Sequence, residues 1–156
     1  MLPTFDDWGD EPKRQFDPEV EFIGRFRAGN PDDARTMSLD NRITYTTGDL
    51  FTAPEGTVLV HACNTVGSWG AGIALAFRDK YPAQFEYYKA HCKEQGESLL
   101  GTCLLIPGDQ HDIACLFTSK AYGKRKDRPH EILAATKTAV EDLMRQNKAS
   151  KALHAW

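Results

Sequence analysis

The sequence predicts an α/β fold in which helices pack on both faces of a central sheet. From Arg42 onward, short apolar runs alternate with longer helical patterns. The run TVLVHAC at 57–63 is apolar without alternation, which is typical of a strand that is buried on both faces. At 156 residues the chain is long enough for one domain with a sizeable core.

Each element of this fold has its own local signal. A strand is expected where apolar and polar residues alternate or where an apolar run lies between turn residues. A helix is expected where apolar residues recur on one face and where proline or glycine marks an end. In chain order the predicted elements are strand ITYTT (43–47), strand TVLVHAC (57–63), helix IALAFRDKY (73–81), helix AQFEYYKAHCKEQG (83–96), strand TCLLIP (102–107), strand DIACLFTS (112–119) and helix HEILAATKTAVEDLMRQ (130–146).

The two ends of the chain are expected to lie outside the packed core at 41–147. Residues 1–40 hold twice as many acidic as basic residues, and their aromatic residues follow no helical or strand period. We therefore expect a disordered acidic tail there. After Arg145 the sequence QNKASKALHAW contains no apolar run of strand length, so residues 148–156 are expected to form a C-terminal tail.

Composition argues against several classes of function. The net charge of −3 provides no general attraction for nucleic acid or anionic membranes. No stretch approaches the roughly 20 apolar residues of a membrane span, and the acidic start does not resemble a signal peptide, so a cytoplasmic or nuclear protein is expected. The four cysteines, Cys63, Cys92, Cys103 and Cys115, form no CxxC pair, which predicts reduced thiols and no metal site.

Polar residues end the central strand just before a glycine loop. HACN occupies 61–64, and GSWGAG at 67–72 leads into a predicted helix, whose first amides could approach a phosphate. The loop is neither a Walker A motif nor the dinucleotide fingerprint. From spacing alone, His61 is either a ligand-facing residue or a core histidine bonded to a backbone carbonyl. Asn64 is either a ligand contact or a turn residue.

Four segments together resemble one known family. ITYTTGDL, VHACNTVGSWGAGIALAF, LLGTCLLIP and ACLFTS, in this order, resemble the macrodomain family of ADP-ribose binders over about residues 43–147. The combination of HxCN with GSWGxGIA is most similar to small fungal ADP-ribose 1″-phosphate phosphatases. The resemblance implies a three-layer α/β/α sandwich with a mixed central sheet. It also implies a phosphoric monoester hydrolase that acts on ADP-ribose 1″-phosphate without a metal or cofactor.

The resemblance also assigns roles to individual residues. Asp49 would accept a hydrogen bond from the adenine amine, and Asn64 would bond the distal ribose hydroxyls. His61 would be catalytic, as acid, base or nucleophile. A run of basic residues after the last predicted strand would attract the terminal phosphate, or else form a solvated loop. The backbone amides that would wrap the distal ribose and its phosphate belong to Gly70, Ala71, Gly72 and Ile73, and the basic run is Lys124, Arg125, Lys126 and Arg128.

The sequence departs from the family after the last predicted helix. A full macrodomain continues there into another strand, a second glycine-rich loop and a closing helix, and none of these is predicted here. An incomplete sheet would lose about 0.5–1.5 kcal/mol per missing ladder bond, out of the roughly 5–15 kcal/mol that stabilises a domain. Three alternatives to the phosphatase therefore stay open: a non-catalytic ADP-ribose-binding module, an ADP-ribosyl-protein hydrolase, and an inactive remnant. The expected partners are ADP-ribose, its 1″-phosphate or an ADP-ribosylated protein.

Overall fold

Six strands and three helices make up the part of the chain that the structure describes. The computed structural model describes residues 22–26 and 43–156, with side chains for the second range only. The strands are β1 Phe22–Phe26, β2 Ile43–Thr46, β3 Thr57–Asn64, β4 Cys103–Ile106, β5 His111–Ser119 and β6 Leu153–Ala155. The helices are α1 Gly72–Lys80, α2 Pro82–Gln95 and α3 Pro129–Gln146.

All six strands belong to one sheet in the order β2-β1-β6-β3-β5-β4. β3 runs parallel to β5 and to β6, whereas β4 is antiparallel to β5. β1 is antiparallel to both β2 and β6. The sheet is therefore mixed, as expected, and β2, β6, β3 and β5 all point the same way.

β3 forms the centre of the core because all eight of its residues are buried. On one face, Leu59 and Cys63 pack in a cluster with residues of α1 and α2. On the other face, Val58 and Val60 pack against residues of α3. Burying each large aliphatic side chain contributes about 1.5–3 kcal/mol. This two-sided burial explains the unalternating sequence, and it confirms the prediction of an α/β sandwich.

The three helices lie close to their predicted positions. α2 begins at Pro82 rather than Ala83, because proline has no N–H to leave unpaired and suits the first helical turn. It ends at Gly96, which has a φ of +58°. Along α3 the buried residues are Ile132, Ala135, Ala139 and Leu143, while Thr136 and Val140 are only partly buried. Among the described residues no helix combines the length and apolarity that crossing a membrane requires.

The expected C-terminal tail is wrong, because residues 153–155 form β6 inside the sheet. Leu153 is 1 % exposed and pairs with Val58 of β3. The turn before β6 is fastened by Asn147, whose side chain donates to the Lys151 carbonyl (2.8 Å) and accepts from the Lys151 N–H (3.1 Å). Lys151 also forms an ion pair with Asp112 at 2.7 Å. A strand therefore follows the last helix, although its three residues are too few to show a period.

The expectation for the N-terminal segment needs a similar correction. Phe22–Phe26, within the predicted disordered tail, forms β1, which pairs with β2 on one side and β6 on the other. Its partners β2 and β6 lie elsewhere in the chain, and the strand is stabilised by pairing with them, so no local sequence pattern predicts it. The rest of the predicted tail lies outside the described residues.

Candidate functional site

Three polar segments meet at one edge of the sheet. Because β2, β3 and β5 run in the same direction, their carboxyl ends lie at the same edge. The segments that follow them are 48–49, 64–73 and 119–128. Ligands of open α/β sheets bind beyond the carboxyl ends of the strands. The fold therefore brings the predicted binding segments to the edge where a ligand is expected.

Asn64 fastens the glycine loop to the end of β3. Its Oδ1 accepts from the backbone N–H groups of Val66 (3.1 Å) and Ser68 (3.2 Å). Its Nδ2 donates to the Ser68 carbonyl at 2.9 Å. The Tyr88 hydroxyl lies 2.7 Å from the Asn64 carbonyl oxygen and 3.1 Å from Oδ1. The side chain predicted to contact the ribose thus also organises the loop.

The glycine loop begins with a backbone conformation that residues with side chains rarely adopt. Gly67 has a φ of +77°, and a Cβ there would lie 3.4 Å from the Cβ of Cys92. Trp69 turns inward, is 1 % exposed and stacks on Tyr88 with ring centroids 4.9 Å apart. Its Nε1 is buried without a hydrogen-bond partner among residues 43–156. The loop is therefore anchored by an aromatic contact while its outer backbone stays at the surface.

The start of α1 offers unpaired amides to this loop. The N-cap residue Ala71 is extended and provides no side-chain cap. Gly70 is exposed, Gly72 is half-buried with a φ of +58°, and Ile73 is 2 % exposed. The first amides of a helix have no partner within the helix, and they carry a partial positive charge that favours an anion. The predicted phosphate-binding segment thus has the backbone form that such binding needs.

Asp49 lies in a separate cleft at the same edge. Its Oδ1 accepts from the Phe51 N–H at 2.9 Å and so caps the short 3₁₀ turn Leu50–Thr52. The other carboxylate oxygen has no hydrogen bond to the described residues. A cleft of about 150 Å³ adjoins it, lined by Thr46, Thr47, Gly48, Asp49, Thr52, Ala53 and His154. Asp49 can therefore present one oxygen to a ligand while the other holds the turn.

The segment after β5 is tied to the glycine loop. Thr65 donates through Oγ1 to the Lys120 carbonyl (2.9 Å) and through its N–H to the Ser119 carbonyl (3.2 Å). Asp127 in turn accepts from the Lys120 N–H at 2.8 Å. These bonds shape the loop that carries the basic run, in which Lys126 is half-buried and Lys124, Arg125 and Arg128 are exposed.

His61 lies inside the core rather than at the edge. It is 1 % exposed and stacks on Phe77 with ring centroids 4.0 Å apart and planes 9° apart. Trp69 packs edge-on against the ring at 4.8 Å. The Cys63 sulfur lies 3.7 Å from Nδ1 and 3.6 Å from Nε2. The imidazole therefore has apolar rings and a thiol as neighbours. Among residues 43–156 it forms no hydrogen bond to a backbone carbonyl, which the alternative of a core histidine had required.

The thiols beside His61 differ in their acidity. Burial acts to raise the pKa of Cys63, but a hydrogen bond from Cys115 and the field of His61 outweigh it and lower that pKa. Burial raises the pKa of Cys115, and donating to Cys63 raises it further. Burial also raises the pKa of Cys92 to about 11. All four cysteines are buried free thiols, as expected from their spacing.

Sequence reasoning missed several residues that build the site. Tyr88 bonds Asn64 from α2, and Thr65 joins the two loops, but neither stands out in the sequence. Ser119 accepts the Asp127 N–H through Oγ at 3.1 Å. The Tyr88 and Thr65 contacts join elements that are distant along the chain, so only the fold reveals them. Asn64 and the 70–73 segment are brought together, whereas Asp49 occupies its own cleft and His61 is enclosed.

Curated relatives are similar to about two thirds of this chain. A protein of Chaetomium globosum named ADP-ribose 1″-phosphate phosphatase is 54 % identical over 115 residues, which cover 67 % of this chain and 62 % of that protein. A protein of the same name from Aspergillus clavatus is 41 % identical over 141 residues, covering 69 % of this chain and 71 % of that protein. The chain thus spans less than two thirds of the length of the Chaetomium protein.

A solved structure and a family match agree with the sequence relatives. The macrodomain of Mycobacterium tuberculosis DarG superposes with a TM-score of 0.55 and 32 % identity, covering 68 % of each chain. Residues 60–154, from β3 through most of β6, match the Macro domain family. This match covers more than half of the sequence and includes the glycine loop and the strands that position it. The chain belongs to the Macro domain family.

Proposed function

We propose that this chain is an ADP-ribose 1″-phosphate phosphatase that hydrolyses the terminal phosphomonoester to ADP-ribose and inorganic phosphate. The observation that carries the proposal is the likeness to relatives of that name, 54 % and 41 % identical. The match to the Macro domain family, residues 60–154, includes the glycine loop and the segment after β5, on which a phosphorylated ligand would depend. In this proposal the protein acts in the cytoplasm or nucleus, on a free nucleotide or an ADP-ribosylated protein, and binds neither nucleic acid nor membrane.

The distal ribose and its phosphate would lie against the glycine loop. The uncapped start of α1 supports this, because the amides of Gly70, Ala71, Gly72 and Ile73 have no side-chain cap to compete with an anion. Asn64 keeps one amide hydrogen beyond its bond to the Ser68 carbonyl, but the residue is 0 % exposed, so that hydrogen reaches a ribose hydroxyl only if the glycine loop shifts when the ligand binds. The exposed Lys124 and Arg125 would add a positive field for the doubly charged phosphate.

The adenine would lie at the other end of the edge, in the cleft beside Asp49. A carboxylate oxygen accepts hydrogen bonds only, so it favours the exocyclic amine of adenine over a carbonyl-bearing base. The turn at Leu50–Thr52 supports this placement because it fixes the carboxylate through Oδ1. The small size of the cleft suits a flat ring rather than a bulky group.

The catalytic role of His61 stays a prediction, and the burial of the ring means that a substrate cannot reach it without a conformational change. An acid, base or nucleophile has to reach the reacting atoms within hydrogen-bond distance. The ring is 1 % exposed and lies between Phe77 and Trp69. Catalysis by His61 therefore requires the glycine loop to shift Trp69 when the ligand binds.

The enclosure of His61 favours a second candidate, a non-catalytic ADP-ribose-binding module. Such a protein would keep the glycine loop and the Asp49 cleft without an accessible acid or base. The two candidates predict the same affinity for ADP-ribose and differ only in phosphate release. An ADP-ribosyl-protein hydrolase is the third candidate, and a release assay on an ADP-ribosylated protein separates it from both.

The first experiment is a calorimetric titration of the full chain with ADP-ribose, alongside a thermal melt of the same sample. Micromolar binding with a cooperative melt would support the site, and phosphate release from ADP-ribose 1″-phosphate would then be measured. Cooperative melting without binding would refute both the phosphatase and the binding module. Binding without phosphate release would leave only the binding module and the protein hydrolase.

Two variants test the residue assignments. His61→Ala should abolish phosphate release and leave ADP-ribose affinity within a few-fold, and unchanged turnover would remove His61 from the mechanism. Asp49→Ala should weaken every adenine-containing ligand, and unchanged affinity would exclude its adenine role. Asp109→Ala is the matched control, because Asp109 is exposed in the turn before β5, at the opposite edge of the sheet.

A further inference from the structure

Three metal-binding side chains converge in the core beneath the glycine loop. His61 and Cys63 lie on β3, and Cys115 lies on β5 at the position that pairs with His61. All three are buried, and one ligand atom from each lies within 4.8 Å of the other two. His61 and Cys63 are two residues apart on one strand, so parallel pairing places all three on the same face of the sheet.

The spacing of these atoms is close to that of ligands on one metal ion. Sulfur at 2.3 Å and nitrogen at 2.0–2.1 Å from a tetrahedral zinc ion lie about 3.6 Å apart. The Cys63 sulfur is 3.6 Å from His61 Nε2. Two sulfurs on such an ion would lie about 3.8 Å apart. The ligand atoms lie within 4.8 Å of one another, so a rotation of the Cys115 side chain has to bring its sulfur closer by about 1 Å at most.

The chemistry of the cluster also suits a soft cation. Thiolate and imidazole ligands select Zn²⁺ and Cu⁺ over hard cations such as Mg²⁺. Within residues 43–156, both ring nitrogens of His61 have the Cys63 sulfur as their hydrogen-bond partner, and sulfur is a weak partner for a buried imidazole. Binding Zn²⁺ would release one proton from each thiol to solvent. Two thiolates, a neutral imidazole and Zn²⁺ then sum to zero charge, as an apolar core requires. With Cu⁺ only one of the two thiols gives up its proton, and the sum is again zero.

We propose that His61, Cys63 and Cys115 form a buried structural site for a thiophilic d¹⁰ cation, Zn²⁺ or Cu⁺. The three ligands found among the described residues leave the fourth tetrahedral position of Zn²⁺ without a protein ligand. Phe77 and Trp69 enclose the cluster, so substrate does not reach that position and the ion has no part in hydrolysis. It pins β3 to β5 directly below the loop that Trp69 anchors. The imidazole nitrogen that binds the ion has no lone pair left to accept a proton or attack phosphorus, so the metal site and a role of His61 as base or nucleophile are alternatives. The binding of ADP-ribose by the loop depends on neither.

The test is metal loading of the full chain under reducing conditions. The chain is unfolded in denaturant that contains a chelator, and the chelator is then removed. It is refolded with Zn²⁺, Cu⁺ or the spectroscopic probe Co²⁺, and gel filtration removes unbound metal. We expect about one metal ion per chain, because the site forms only when the chain folds and metal binding is therefore coupled to folding. The Co²⁺ form should show thiolate-to-cobalt charge-transfer absorption. Refolding with equal Zn²⁺ and Cu⁺ identifies the preferred ion.

Variants decide where the ion binds. Cys63→Ser and Cys115→Ser should each lower bound metal at least tenfold, whereas Cys103→Ser, a buried cysteine in the other core cluster, should leave it unchanged. Equal metal content in all three variants would overturn the proposal, as would a wild-type Co²⁺ sample without charge-transfer absorption. The absorption alone decides the outcome if a variant fails to refold. ADP-ribose titration of the same samples distinguishes failure of this site from failure of the proposed function.

Discussion

Replacing Asn64 with alanine would detach the glycine loop from the end of β3. The Asn64 side chain makes four hydrogen bonds, with the Val66 N–H, the Ser68 N–H, the Ser68 carbonyl and the Tyr88 hydroxyl. Val66 is exposed, so water can replace its bond, and the Tyr88 hydroxyl keeps the Asn64 carbonyl at 2.7 Å. The two bonds to Ser68 are therefore the main loss.

The expected destabilisation follows from these contacts. A net hydrogen bond contributes about 0.5–1.5 kcal/mol, and a buried group left unpaired costs about 1–3 kcal/mol. We expect Asn64→Ala to lower the free energy of unfolding by about 2–4 kcal/mol. For a domain of this size that corresponds to a fall in Tm of about 5–12 °C. ADP-ribose affinity should fall at least tenfold, because the loop loses its shape and the ribose loses a donor.

The assay combines circular dichroism melts with calorimetry well below the Tm of the variant. Asn147→Ala is the matched control, since it removes two hydrogen bonds to Lys151 in the turn before β6. It should lower the Tm without changing ADP-ribose affinity. A Tm for Asn64→Ala equal to that of the wild type would refute the reasoning. Equal affinity losses in both variants would show that general destabilisation, not the loop, governs binding.

Two further substitutions test the packing of α3. Gly101→Ala should cost about 1–2 kcal/mol, because Gly101 has a φ of +79° and its new Cβ would lie 2.6 Å from Thr138 Oγ1. Urea unfolding should show part of this loss relieved in a Thr138→Ala background, and no loss at all would contradict the steric argument. Leu143→Ala should cost about 2–5 kcal/mol in the same assay, since Leu143 is 1 % exposed. Leu133→Ala, at a site that is 71 % exposed, should change stability by less than about 0.5 kcal/mol, and similar losses in the two would be inconsistent with the described core.

Local sequence patterns predicted the elements that bury a continuous or periodic apolar face. β3 was recognisable because eight consecutive buried residues leave an unalternating run, and α2 because Pro82 and Gly96 mark its ends. β6 was not recognisable, since three residues including His154 show no period. β1 was missed because its stability depends on β2 and β6, which lie far away in the chain. Short strands of this kind are defined by their partners rather than by their own composition.

The candidate site divides in the same way. The glycine loop and Asp49 were predictable, because they follow strands whose direction the α/β pattern implies. The cluster of His61, Cys63 and Cys115 was not predictable, because the sequence has no CxxC pair and therefore indicated no metal site. CxxC spacing identifies ligands that are close together in sequence, whereas Cys115 lies beside His61 only through the register of two parallel strands. The burial of His61 was also hidden, because a residue near the end of a strand can face either the core or the edge.

The sheet order gives β6 a decisive place in the dynamics of the molecule. Among the described residues, β1 is hydrogen-bonded to the strands from β6 to β4 only through its pairing with β6, and β2 pairs only with β1. When β6 separates from β3, β1 and β2 lose their connection to β3 at the same time, while the hydrogen bonds among β3, β5 and β4 are kept. Backbone amides of Phe22–Phe26 and Ile43–Thr46 should thus exchange their hydrogens with solvent deuterium as one cooperative unit, at a rate set by three residues that lie more than a hundred positions away.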